Sequence, residues 1–148
     1  MKLKNNEEVE IDVPSILNRD GILNSNFENE NRPICNVKEI ISSQKNEASW
    51  CYRVVNTENN SATIISQLPG EGNRRHYHPE WNEWWFIIEG EWKWEIEDEE
   101  FIVKKNDIVF MEKGKVHCIT AIGDKPAIRL AVSREDVPHI YTPQKRKL

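Results

Sequence analysis

Between Glu91 and Glu97, bulky apolar and charged side chains alternate without a break: Trp92, Trp94 and Ile96 against Lys93, Glu95 and Glu97. A period of two belongs to a β-strand, whose successive side chains leave opposite faces, so this segment has one buried face and one wet face. A helix would scatter the three apolar residues around its axis. The surrounding sequence repeats the message in short runs rich in Val, Ile, Trp, Tyr and Phe, separated by Gly, Asn, Asp and Pro. SWCYRVVN (49 to 56) and ATIISQL flank the turn formers Glu58, Asn59, Asn60 and Ser61, which predicts a hairpin. Phe101-Ile102-Val103, Ile108-Val109-Phe110, VHCITAI after Gly114, and AIRLAV after Pro126 predict further strands. With no long amphipathic helix among them, a single antiparallel barrel or sandwich is expected rather than a mixed α/β fold.

A chain of 148 residues fits one domain with a core of its own. Residues 1 to 46 are polar, rich in Asn and Glu, and predict a partly irregular N-terminal arm; the barrel is expected over 47 to 137 and a tail over 138 to 148. The formal charge of -5 excludes a general nucleic-acid binder, and the only basic cluster, Lys145-Arg146-Lys147, reads as a solvated tail. Cys35, Cys51 and Cys118 contain no CxxC pair, which argues for reduced thiols in a cytoplasm. The charged N-terminus lacks a signal-peptide core and no apolar run is long enough to span a bilayer, so neither export nor a membrane partner is expected.

The chemistry concentrates in GEGNRRHYHPEWNEWWFIIEG (70 to 90) and in His117. His76 and His78, at i and i+2, leave a strand on the same face and can reach one point inside a barrel. Glu83 has the opposite parity and joins them only if Pro79-Glu80-Trp81-Asn82 forms a loop that resets the register. His117 arrives from a distant strand, with Ile119 and Ala121 on its face as an apolar surround. Three imidazoles and a carboxylate are the donors that borderline first-row metals accept, so the set predicts one divalent transition metal ion per chain. The donor set predicts the class of ion and leaves Fe, Mn, Ni, Zn and Cu open. Glu80 falls within the loop and is expected to be exposed. His139, the remaining histidine, is expected to be a packed or surface side chain. Cys118 follows His117 directly and so faces away from the cluster, as a buried thiol.

The same residues resemble the first motif of the cupins, G-x5-HxH-x4-E-x6-G, which Gly70, His76, His78, Glu83 and Gly90 match at every fixed position. The second motif, G-x5-PxG-xx-H-xxx-N, is matched by Gly114 and His117, with Asn106, Glu112 and Ala121 replacing its first Gly, its Pro and its Asn. None of the replaced positions is a ligand in the family pattern. The resemblance implies an all-β jelly-roll barrel, the double-stranded β-helix, and often a homodimer. It also implies a range of activities: dioxygenases, isomerases, lyases, decarboxylases and non-catalytic binding modules. The expectation is a small-molecule enzyme of the dioxygenase type with iron favoured as its metal, and the alternative is a metal-dependent isomerase or lyase, or a non-catalytic small-molecule-binding cupin.

Substrate contacts follow from parity. Arg74 shares the parity of His76 and His78, so on a continuous strand its guanidinium points inward, suited to a carboxylate or phosphate. Arg129 in AIRLAV and Arg53 in SWCYRVVN each face either the interior or solvent. Trp85, two residues after Glu83, is expected to form a wall of the pocket. Trp92 and Trp94 are expected in the core or at a dimer interface. The arginines together point to a polar or anionic small-molecule substrate.

Overall fold

Among the residues that the computed structural model describes (3–4, 6–44, 47–134 and 138–143), the chain runs β1 (Glu8–Glu10), α1 (Val13–Arg19), β2 (Asn24–Asn26), α2 (Val37–Ser42), β3 (Trp50–Asn56) and β4 (Ser61–Gln67). It continues through β5 (His76–Tyr77), β6 (Glu83–Glu89), β7 (Glu91–Ile96), β8 (Glu99–Lys104), β9 (Ile108–Met111), β10 (His117–Ile122), β11 (Ala127–Ser133) and β12 (His139–Tyr141). The strands form two six-stranded sheets, in the orders β1-β12-β5-β10-β7-β8 and β2-β3-β4-β11-β6-β9. Sequence neighbours such as β6 and β7 lie in different sheets, so the chain winds back and forth between two packed layers. This is the all-β jelly roll expected from the sequence. The basic run Lys145-Arg146-Lys147 lies outside the described residues. No helix among those residues is long and apolar enough to cross a membrane.

The alternation at 91 to 97 becomes β7, with Trp92 and Trp94 fully buried. They pack between the sheets with Trp85, Ile87, Val109, Met111, Ile119, Ala121 and Ala127. In the β7 to β10 register Trp92 faces Ala121 and Trp94 faces Ile119, so each indole meets a smaller side chain across the strand pair. Trp85 and Trp94 meet edge to face with centroids 4.8 Å apart. The hairpin expected at 49 to 67 is β3 and β4, with a register shift between Arg53 and Val55. Elements from the N-terminal 46 residues enter both layers. β1 pairs with β12, and β2 runs parallel to β3. Asp12 caps α1 by accepting the backbone N–H of Ser15, and Asn36 caps α2 by accepting that of Glu39. α2 lays Ile40 against Trp50, Ile64 and Ile128 on the outer face of one sheet.

Two backbone positions hold the barrel together at close range. A Cβ at Gly72 would stand 1.8 Å from the Ile119 carbonyl oxygen, so only glycine lets this segment reach β10. Asn106, which replaces a motif glycine, takes φ 77°, a left-handed conformation that asparagine tolerates better than most residues.

Two outcomes test this packing. Trp92→Ala removes a fully buried indole between the sheets and is expected to cost ~3–5 kcal/mol in urea unfolding, because the surrounding strands cannot collapse into the space. Thiol titration of the native protein is expected to modify one cysteine, the exposed Cys35, and all three after denaturation, since Cys51 and Cys118 are buried.

Candidate metal centre

β5 contributes His76, the loop after it contributes His78, β6 begins with Glu83, and β10 begins with His117. His117 stands directly opposite His76 in the antiparallel pair, which puts both side chains on the inner face of one sheet. The expected loop at 79 to 82 is present between β5 and β6, and it delivers Glu83 from the facing sheet. Glu83 Oε1 lies 3.3 Å from His78 Nε2 and 3.6 Å from His117 Nε2. One ring nitrogen from each of His76, His78 and His117 falls within 4.8 Å of the others. All three imidazoles are buried. Glu80 is exposed, as expected.

Each imidazole is held by its other nitrogen. His76 Nδ1 lies 2.6 Å from the Arg74 carbonyl oxygen, His78 Nδ1 2.9 Å from that of Pro138, and His117 Nδ1 3.1 Å from that of Lys115. A carbonyl can only accept, so in each ring Nδ1 carries the proton and donates it, and Nε2 presents a lone pair to the interior. The Nε2 atoms of His78 and His117 are buried without a hydrogen-bond partner. Lone pairs facing a carboxylate form a set of acceptors with no donor between them, and a cation is what such a set lacks. The residues therefore fit a divalent metal held by His76, His78, His117 and Glu83. The backbone carbonyls supply the outer contacts that fix ring orientation in metal sites.

Without an ion, a proton on His78 competes for the same place. Burial pushes His76 well below the usual imidazole range, and nearby His117, His139 and His78 push it the same way, so the ring is neutral. Burial alone would lower His78 and raise Glu83. The attraction between them outweighs burial in both cases, raising His78 and holding the Glu83 carboxyl well below its usual range.

A cavity with about 90 Å³ of free space opens beside this cluster, lined among others by His76, Glu83, Trp85, Arg53, Arg129 and His139. That is room for several waters or one compact small molecule. Trp85 is the expected wall, its ring 5.6 Å from that of His117. Arg53 and Arg129 both face inward and are 3% exposed. Arg129 donates to Gln67 Oε1 at 2.6 Å and stacks over Trp92, while Arg53 lies over Phe27. Burial lowers Arg129 to about 10, so it stays charged at neutral pH.

Arg74 is a correction. Its guanidinium binds Asp20 Oδ1 at 2.8 Å and Glu10 Oε1 at 3.1 Å and covers the Tyr141 ring, and it does not line the cavity. The inward reading assumed a continuous strand through residue 74, whereas β5 starts at His76, and acids from α1 and β1 draw the side chain to the rim. His139 is more central than its sequence context implied. Its ring stacks on His76 with centroids 4.8 Å apart and meets His78 edge-on at 4.4 Å. The signal available was that His139 and Tyr141 share one strand face. Asp20 and Gln67, which set the charge and the hydrogen bonding of the cavity, had no local sequence signal. Cys118 faces away from the cluster and donates to the Asn73 carbonyl, and burial raises its thiol to about 11.

Fold and site together define a β-barrel whose interior brings together three histidines that could hold a metal ion. The family model for the cupin domain matches residues 63–133, which include every residue of the cluster, and the chain is a member of the cupin superfamily. No curated protein sequence matches it. Among solved structures it resembles a protein with a double-stranded β-helix domain from Klebsiella pneumoniae, at 22% identity and TM-score 0.63, over 76% of this chain and 100% of that one. It also resembles the polyketide cyclase RemF from Streptomyces resistomycificus, at 15% identity and TM-score 0.58, over 67% of this chain and 73% of the cyclase. The oxalate decarboxylase of Lactobacillus farciminis matches at 23% identity and TM-score 0.54, over 67% of this chain but 32% of its own. Likeness at these identities establishes the fold, not the reaction.

Metal binding is expected to show in stability. A divalent ion at a hundredfold excess over its Kd should stabilise the folded chain by about 2.7 kcal/mol, and His76→Ala or His117→Ala should abolish that increment in thermal unfolding. Apparent metal affinity is also expected to fall as the pH drops from about 8 to 6. His78 holds its proton more tightly than a free imidazole, so the ion must displace that proton, and calorimetry in buffers of different ionisation enthalpy should record its release.

Proposed function

We propose that this chain is a metal-dependent oxidoreductase of the dioxygenase type, acting on a polar or anionic small molecule. The observation that carries the reading is that the His76, His78, His117 and Glu83 cluster faces a cavity walled by Trp85, so ligands and a substrate-sized space share one interior. Three imidazoles and one carboxylate suit ferrous iron, and four protein donors would leave open positions on a six-coordinate ion. Such an ion supplies Lewis acidity and, as iron, access to dioxygen. The chain's own residues do the rest. Backbone carbonyls hold the histidine rings in one tautomer, Glu83 balances charge, and Trp85 gives the substrate a flat apolar surface while keeping bulk water from that side. His139, stacked on His76 and lining the cavity, places a further imidazole beside the substrate space. The edges left on the outer sheets are compatible with the homodimer that the family resemblance implies, and sedimentation of the purified protein measures it directly.

The reaction is tested on protein purified without added metal, by elemental analysis followed by oxygen uptake against small phenolic, thiol and keto-acid compounds. Stoichiometric iron and substrate-dependent oxygen loss, reduced at least a hundredfold in His76→Ala, are expected. Turnover without oxygen loss would move the assignment to isomerase or lyase chemistry. Absence of bound metal would overturn it.

A further inference from the structure

Arg129 is a cation of the cavity wall whose direct side-chain contacts are with neutral groups, Gln67 and Trp92. It lies on β11, opposite Ile65 of β4 and Ile87 of β6, and its side chain enters the interior. Among the described residues no carboxylate stands within ion-pair distance of it. Asp20, an acid of the cavity lining, is engaged by Arg74 Nε at 2.8 Å, and Glu83 is engaged by His78 and His117. The partner that Arg129 does have is an amide. Gln67, fully buried, gives its Nε2 protons to the carbonyls of Asp20 and Gly72, both at 3.1 Å, which leaves Oε1 turned toward Arg129. The Trp92 ring fixes the guanidinium from a second side, with Cζ 4.5 Å from the ring centroid. Yet the buried Nε remains without a partner.

A guanidinium carries five N–H donors in a planar fork that matches a carboxylate edge. Asp20 and Glu83 act on this charge only at a distance, and burying a cation without a direct acid partner is expensive, so a guanidinium held rigidly with an unpartnered N–H suits an anion that arrives from outside. Glu83, Trp85 and Ile87 are successive inward positions of β6, and Arg129 pairs with the last of them. At roughly 3.3 Å per residue, Arg129 sits about 13 Å along the strand from Glu83, with Trp85 between them. The cavity lining includes the apolar side chains of Ile65, Ala131 and Trp85.

We infer that Arg129 is the carboxylate-binding residue of the cavity and that the ligand is a small organic acid, its carboxylate on Arg129, its apolar middle on Trp85 and its far end toward the histidine cluster. This rests on reading the cavity as a substrate pocket and adds the class of substrate it takes. Arg53, on the same inner face, adds a second positive charge to that wall.

The test is calorimetric titration of the full-length protein with butyrate and benzoate, each paired with its neutral amide, and metal content measured on the same samples. The acids are expected to bind at least tenfold more tightly than the amides. Arg129→Gln should erase that preference, and Arg129→Lys, which keeps the charge but loses the fork, should reduce it at least threefold. Should Arg129→Gln fail to fold by circular dichroism, the lysine variant and the acid-to-amide ratio of the wild type decide. Acids that bind no better than amides, or a preference untouched in Arg129→Lys, would overturn the inference even in metal-replete protein. A carboxylate preference in protein that takes up no metal would sustain it while removing the enzyme assignment.

Discussion

The antiparallel pairing of β10 with both β5 and β7 is the constraint on which the interior depends. It sets His117 opposite His76 on one side and opposite Ile96 on the other, so a single register places two ligands face to face and docks them on the tryptophan core. The β5 contact is short and could not fix that register alone. β7 fixes it, because Trp92 and Trp94 find room only against Ala121 and Ile119. A slip of one residue would turn Cys118 inward and His117 outward, exchanging an imidazole for a thiol at the cluster.

The second constraint is the set of backbone carbonyls that take the Nδ1 protons. Two are local: the oxygens of Arg74 and Lys115 each precede their histidine by two residues, so the same stretch of chain that carries the ligand also orients it. The third is not. Pro138, just before β12, accepts from His78, which makes the end of the chain part of the centre. β12 also pairs with β5 and brings His139 and Tyr141 into the same neighbourhood, and β1 closes that edge in turn. Segments that look peripheral in the sequence thereby stand next to the chemistry.

How much of this was legible follows from which interactions are local. Strand alternation and turn residues located the β-runs, and the spacing of His76, His78, Glu83 and His117 located four side chains that converge, since a period of two and one short loop suffice to aim them. Glu83 was readable only because the loop at 79 to 82 was allowed for. What failed was what depends on partners far away in the chain. Arg74 was aimed inward by parity, but parity says nothing about Asp20 and Glu10, more than fifty residues earlier, whose carboxylates hold it at the rim. Gln67 and His139 owe their roles to pairings between strands that no single segment encodes.

The charge balance of the interior ties the two ends of the cavity together. His76 is held neutral, and Glu83 contributes one negative charge against a divalent ion, leaving the centre positive when it is filled. Arg129 adds another positive charge across Trp85, and Asp20, whose carboxylate is shared with Arg74, acts on it from a distance without a direct ion pair. At an effective dielectric near 20, two like charges about 13 Å apart repel by roughly 1.3 kcal/mol, a cost present when the centre holds its ion and the pocket holds no ligand. A ligand that brings an anionic group between them turns that repulsion into attraction at both ends, so the same arrangement that strains the empty cavity selects for an acid within it.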